Sequence, residues 1–100
     1  MSWSARSEKT REKKYQAILD HAIELDRKGK TETFEGVARF LNRRGFRNNA
    51  GGLYAAHPRG VAKVVAMAFV WASETYGEPT AIPICNAFTK MSGEYAWSDE

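Results

Sequence analysis

The chain has 100 residues, 43% of them hydrophobic, with 15 Lys and Arg, 12 Asp and Glu, and a net charge of +3. This length and composition predict one domain, residues 1–100, that can bury a core without disulfides, with residues 1–7 as a frayed tail. The single Cys85 excludes an intramolecular disulfide. No apolar run reaches the roughly 20 residues of a membrane span, and no apolar signal segment precedes Lys14. The sequence therefore predicts a cytoplasmic protein that does not cross a membrane.

The first predicted helix begins at Ser7 or Thr10, either of which can cap it, and ends at Gly29. Its apolar residues recur at helical spacing, and they are Tyr15, Ile18, Leu19, Ala22 and Leu25. The charged residues between positions 7 and 14 are typical of a solvated first turn or two.

The second predicted helix begins at Thr31 or Thr33 and ends at Gly45. Its buried stripe is Phe34, Val37, Ala38 and Leu41. Gly36 lies inside this helix, where glycine costs about 1 kcal/mol relative to alanine. We interpret this glycine as the site of a close contact with another helix.

A turn is predicted where residues 47–52 read RNNAGG, because Asn and Gly tolerate positive φ. We expect at least one of Gly45, Gly51 and Gly52 to adopt a positive φ, since each lies where a helix ends or the chain reverses.

The third predicted helix begins at Pro58 and runs to about Tyr76. Its residues are apolar on nearly every side, which is typical of a central, buried helix. We therefore expect Phe69 and Trp71 to be largely buried.

The fourth predicted helix begins at Thr80 and ends at Ser92 and Gly93. Its apolar stripe is Ile84, Phe88 and Met91. No segment alternates in the manner of a strand of convincing length. The predicted fold is all-α, a small bundle of about four helices in which the second and third form a helix-turn-helix-like pair.

Positive charge is concentrated in the middle of the chain. Residues 36–73 hold six bases and no acid, whereas residues 74–100 hold one base and five acids. This segregation predicts one face for polyanions and another face for a different partner. The alternative is a solvated helix face that happens to be rich in arginine.

No pattern of residues indicates catalysis or metal binding. His21, His57 and Cys85 lack the paired spacings of metal ligands, and no glycine-rich phosphate loop is present. A cysteine on an apolar helix is typical of a core residue. We therefore predict that the protein is not an enzyme and has no catalytic residue, metal or cofactor.

The basic middle of the chain predicts DNA binding. Phosphate contacts need Lys and Arg side chains clear of acids, a role we assign to Arg43, Arg44 and Arg47. Base contacts need polar or basic side chains at the start of a helix that enters the major groove, and His57, Arg59 and Lys63 meet this requirement. We expect a homodimer that binds through Arg39, Arg43, Arg44, Arg47, Asn48, Arg59 and Lys63.

A known pattern runs through residues 37–65: a helix with Ala, an LN pair, Gly and an apolar residue, a Gly-containing turn, an aromatic residue and an apolar helix. Its residues here are Ala38, Leu41, Asn42, Gly45, Phe46, Gly51, Gly52, Tyr54, Val61 and Val64. The pattern resembles the small helical segment that follows the catalytic domain of large serine recombinases. The resemblance implies a helix-turn-helix-like unit that touches DNA, as in a regulator from a phage or mobile element. It does not extend to recombinase activity, because the catalytic domain has no counterpart here.

A second hypothesis is a small phage-encoded protein that inhibits a host nucleic-acid machine by protein–protein contact, as anti-CRISPR proteins do. The size of the chain and its single helical domain permit this function. The partner would then be a host nucleic-acid-binding protein complex, and the same arginines would meet acidic protein surface.

Overall fold

Four α-helices make up most of the residues described in the computed structural model: α1 (Trp3–Arg27), α2 (Phe34–Arg43), α3 (Pro58–Tyr76) and α4 (Glu78–Ala87). The structure describes the backbone of residues 3–48, 51–54, 58–91 and 94–95, and the side chains of residues 10–48, 51–54 and 61–88. Helices α1, α3 and α4 pack against one another, and α2 packs on α3. The predicted all-α bundle is confirmed. Within the described residues, no helix combines the length and the apolar character that a membrane crossing needs.

The core forms where the apolar stripes of the helices meet. Its largest fully enclosed side chains are Ile18, Leu19, Phe34, Val37, Leu41, Val61, Val65, Ile84 and Phe88. Burying one such side chain stabilises the fold by about 1.5–3 kcal/mol before chain entropy is counted. Most of the stripe predicted for the first two helices lies in this core.

Helix α1 begins earlier than predicted, at Trp3 and not at Ser7 or Thr10, so residues 3–7 are helical and not a frayed tail. Adding a turn to an existing helix is far easier than nucleating one, and Ala5 and Arg6 are good helix formers. The predicted end is confirmed. Gly29 has a φ of 69°, and the Lys30 N–H donates to the Leu25 carbonyl at 2.8 Å, the pattern of a left-handed helix cap.

Helix α2 is capped by Thr33, whose hydroxyl accepts a hydrogen bond from the Gly36 N–H at 3.2 Å. Gly36 does not mark the close contact between helices that the sequence suggested. A Cβ at this position would collide with the Glu32 side chain, whose Cδ lies 2.7 Å from it. The glycine therefore gives Glu32 the space to fold over the first turn of α2.

Helix α4 begins at Glu78 and ends at Ala87, so it is shifted toward the N-terminus relative to the prediction from Thr80 to Gly93. Gly77, with a φ of 99°, turns the chain directly after α3, and Pro79 lies in the first turn of α4, where its missing N–H is not needed.

A short three-stranded sheet takes the place of the last turn predicted for the fourth helix. Strand β2 (Phe88–Met91) pairs in parallel with β1 (Glu32–Thr33) and antiparallel with β3 (Glu94–Tyr95). The pairing supplies hydrogen-bond partners for the backbone of β2. The side chain of Phe88, the first residue of β2, is fully buried. The sequence predicted no strand of convincing length, and the three strands, of two, four and two residues, are too short to change the fold class.

Helix α3 is not enclosed on all sides, contrary to the prediction. Its fully buried residues are the small ones Val61, Val65, Ala68 and Ala72. Trp71 and Phe69, expected to be largely buried, are only partly buried. Met67 and Val70 are exposed by 41% and 52%. The other helices cover one side of α3. Because there are only a few of them, the opposite side remains open to solvent.

Candidate functional site

The segment after α2 is a defined turn. Gly45 has a φ of 86°, and the Phe46 N–H donates to the Leu41 carbonyl at 3.0 Å, which ends the helix as predicted. Asn48 then closes the turn: its Oδ1 accepts from the Gly52 N–H at 2.9 Å. Gly51 adopts a φ of 87°, so the prediction of positive φ among these glycines is confirmed.

Asn42 holds the far end of this turn against α2. Its side-chain NH₂ donates to the Tyr54 carbonyl at 3.0 Å, and its Oδ1 accepts from the Tyr54 N–H at 2.8 Å. The amide of Asn42 thus pairs with one residue of extended chain as a neighbouring strand would. Tyr54, which is 7% exposed, is brought in this way onto the side chain of Lys14.

Lys14 is buried, with 5% of its surface exposed. Its ammonium donates to the Tyr54 hydroxyl at 2.6 Å and to the Arg47 carbonyl at 2.8 Å. Among the described residues, no carboxylate pairs with it. Burial, with Arg11 nearby, lowers the pKa of Lys14, because both effects disfavour its charged form.

A pocket of about 130 Å³ opens beside Lys14. Its lining residues are Arg11, Lys14, Tyr15, Asn48, Tyr54, Lys63, Val64 and Met67. Three of these carry positive charge and none carries negative charge, so the pocket is suited to an anion. We call it the Lys14 pocket.

A larger groove of about 350 Å³ lies between α1 and α3. Its lining residues are Arg11, Glu12, Tyr15, Met67, Val70, Trp71 and Glu74. The rings of Tyr15 and Trp71 lie 6.1 Å apart between centroids. We call it the α1–α3 groove. The sequence did not indicate this groove, because the apolar residues on nearly every side of α3 predicted a buried helix.

The arginines predicted for the site lie at the exposed end of α2. Arg39 and Arg43 are four residues apart and share one helix face, and the Arg44 guanidinium lies 5.1 Å from the centre of the Phe40 ring. Arg47 bends back, and its Nη1 donates to the Phe46 carbonyl at 2.7 Å. Within the part of the chain that the structure describes, none of these arginines has an acidic partner.

The predicted site residues do not all meet in one place. Asn48 and Lys63 line the Lys14 pocket, and Arg47 contributes its carbonyl to Lys14. Arg39, Arg43 and Arg44 do not line it. The side chain of Arg59 and the whole of His57 lie outside the described residues.

Arg11 and Lys14 are site residues that the sequence did not indicate. Their charge and position predicted a solvated first turn. The spacing of the residues nevertheless indicated that Lys14 faces the core. It precedes Ile18 by four residues and Ala22 by eight, so it lies on the buried stripe of α1. A lysine on such a stripe is either exposed by a gap in the packing or held by hydrogen bonds.

His21 and Cys85, the other residues considered for metal binding or catalysis, have surroundings that favour structural roles. His21 lies 2.5 Å from a Glu32 oxygen, and its ring stacks on Phe40 with the centroids 4.2 Å apart. Burial, with Glu78 nearby, raises the pKa of the Cys85 thiol and so disfavours the thiolate. No group of three or more His, Cys, Asp or Glu residues in the described parts of the chain is arranged to hold a metal ion.

The lowered pKa of Lys14 predicts a rise in stability with pH. The unfolded chain holds the Lys14 proton up to its ordinary pKa of 10.5, whereas the folded chain releases it at lower pH. Between these two values the unfolded state binds more protons, so the free energy of unfolding should increase as the pH rises. Burial raises the pKa of Tyr15 and Tyr54 above 10.0, which reverses the trend at higher pH.

Urea denaturation at a series of pH values below about 10 measures this effect. Lys14→Met should lack the rise in the free energy of unfolding with pH. Lys13→Met should keep this rise, because Lys13 is an exposed lysine on the same helix. Identical pH profiles for the two variants would show that Lys14 is as well solvated when folded as when unfolded.

Comparison of the chain with protein-family models, with curated proteins and with solved structures found no match. Its function is therefore inferred from the chemistry of its own residues.

Proposed function

We propose that this protein binds DNA without catalysing a reaction, using the basic end of α2 and the start of α3. Arg43, Arg44 and Arg47 hold backbone phosphates, Arg39 extends this surface along α2, and Lys63 lies at the DNA groove. The proposal keeps the further expectations from the sequence: Arg59 at the groove, a homodimer and a cytoplasmic location.

The observation that carries the proposal is the separation of these cations from acids. Ion pairs with Glu24 engage Arg27, the last residue of α1, and Lys28 directly after it. No described carboxylate pairs with Arg43, Arg44 or Arg47. An arginine that is already neutralised gains little from a phosphate, whereas an unpaired one releases a counterion from the DNA when it binds.

Two of the predicted residues have narrower roles in the proposal. Both ends of the Asn48 amide bond to the turn, to Gly52 and to Leu53, so we assign Asn48 to holding the turn and not to contacting DNA. The Nη1 of Arg47 donates to main-chain carbonyls. A guanidinium has five N–H donors, so the remaining N–H groups of Arg47 can donate to a phosphate.

The test is a salt titration of affinity for a duplex of arbitrary sequence. Arg43→Ala, Arg44→Ala and Arg47→Ala should each lower the salt slope by about 1, because each removes one phosphate contact. Arg27→Ala is the matched control, since this arginine is paired with Glu24 on α1 and should leave the slope unchanged. A wild-type protein that fails to retard DNA at low salt would defeat the proposal.

Inhibition of a host complex by protein contact is the second candidate, favoured by the exposed apolar side chains of Met67 and Val70 on α3. Exposed apolar residues in a cluster are typical of a surface that a partner covers. A pull-down from host lysate separates the two proposals. Capture that survives nuclease treatment supports a protein partner, and capture lost with nuclease supports DNA.

A further inference from the structure

The Lys14 pocket and the α1–α3 groove form one continuous surface. Arg11, Tyr15 and Met67 line both cavities. One end of the surface is cationic, with Lys14 and Lys63. The other end is largely aromatic and apolar, and the carboxylates of Glu12 and Glu74 also line it. Two cavities of opposite character that share a wall match a ligand with an anionic group attached to a planar ring.

We propose that this surface binds one unpaired nucleotide of a single-stranded nucleic acid. Its phosphate enters the Lys14 pocket, and its base lies in the α1–α3 groove against Trp71 and Tyr15. The inference rests on the proposed function, since it takes nucleic acid as the ligand, and it adds a preference for single strands. Bases in a duplex are stacked on one another, so only an unpaired nucleotide can offer its ring face to such a groove.

The phosphate half of the site has donors in place. The Lys14 ammonium has three N–H bonds, and the described acceptors, the Arg47 carbonyl and the Tyr54 hydroxyl, use two of them. Because the Tyr54 hydroxyl accepts from Lys14, its own hydrogen can be donated to a phosphate oxygen. Charged donors in a recess with little water make strong hydrogen bonds to phosphate.

The base half of the site is lined by rings and a thioether. Trp71 is only partly buried, although it belongs to the largest aromatic type, and Met67 beside it is 41% exposed. Aromatic side chains and Met sulfur both pack well on a planar ring.

Glu12 and Glu74 set the direction in which a nucleotide enters. Both line the groove, and neither lines the Lys14 pocket. Their carboxylates repel a phosphate from the groove, while they can accept hydrogen bonds from the amino groups of bases. The phosphate is therefore directed to one end of the surface and the base to the other.

The first experiment uses the wild-type chain and three probes of about 16 nucleotides, which is the upper end of the length that one small single-strand-binding domain covers. The probes are a mixed-sequence single strand, a strand with abasic sugars throughout, and a duplex. We expect the mixed strand to bind on the order of tenfold more tightly than the abasic strand, as base stacking requires. Equal affinities for the two strands would overturn the inference. Retained duplex binding in that case would leave the proposed DNA binding intact.

The second experiment assigns the two halves of the site. Trp71→Leu should bring the affinity for the mixed strand down to that of the abasic strand, with duplex affinity unchanged. Lys14→Met should weaken both single strands. Ile82→Ala, at an exposed apolar residue on α4, and Lys13→Met are the matched controls. Thermal melts check that each variant is folded, and an unchanged mixed-strand affinity in folded Trp71→Leu would contradict the inference. If that variant is unfolded, the comparison of probes on the wild-type chain decides alone.

Discussion

Replacing Phe34 with alanine is expected to lower the free energy of unfolding by about 3–5 kcal/mol. Phe34 is the first residue of α2 and is 1% exposed. Its ring lies in the core cluster to which all four helices contribute. Truncation removes the transfer free energy of the ring and leaves a cavity that neighbours on several elements cannot fill by a small shift.

Urea denaturation measures this loss, and Trp71→Ala is the informative comparison. Trp71 has the larger side chain, but it is only partly buried, so its truncation should cost clearly less than that of Phe34. For a chain of this length, the Phe34 variant should melt at least about 12 °C below wild type. A loss for Trp71→Ala as large as that for Phe34→Ala would show that the Trp71 side chain is as enclosed as that of Phe34.

Replacing Asn42 with alanine is expected to lower the free energy of unfolding by about 2–3 kcal/mol. The substitution removes both hydrogen bonds that hold the backbone of Tyr54 and leaves a partly buried N–H and carbonyl without these partners. It also frees Tyr54 to move away from Lys14. The variant should therefore lose part of the pH-dependent stability that we predict for Lys14.

Asn86→Ala is the matched control for this change. Asn86 is an exposed asparagine in α4, and its side chain has no hydrogen bond within the described residues. Both substitutions gain the same helix propensity, so their difference isolates the two bonds to Tyr54. Equal stabilities would indicate that water replaces Asn42 at no cost.

Local chemistry in the sequence was enough to predict most helix ends and the core stripes. Thr33 caps α2, and Gly29 and Gly45 end α1 and α2, because each depends on groups within about five residues along the chain. The apolar stripe of α1, with Ile18, and that of α2, with Leu41, are likewise set by the period of the helix. The exposed arginines of α2 follow from the same period, since they lie off that stripe.

Contacts between distant segments decided the rest. Phe88 continues the helical stripe of α4, yet it begins a strand, because Glu32 and Thr33 offer backbone partners from far away in the sequence. Trp71 is partly exposed because the other helices are too few to surround α3. Lys14 is buried because Asn42 anchors Tyr54 over it, and neither bond follows from residue spacing. The Lys14 pocket is therefore a product of tertiary structure: its cations come from α1 and α3, and only packing brings them together.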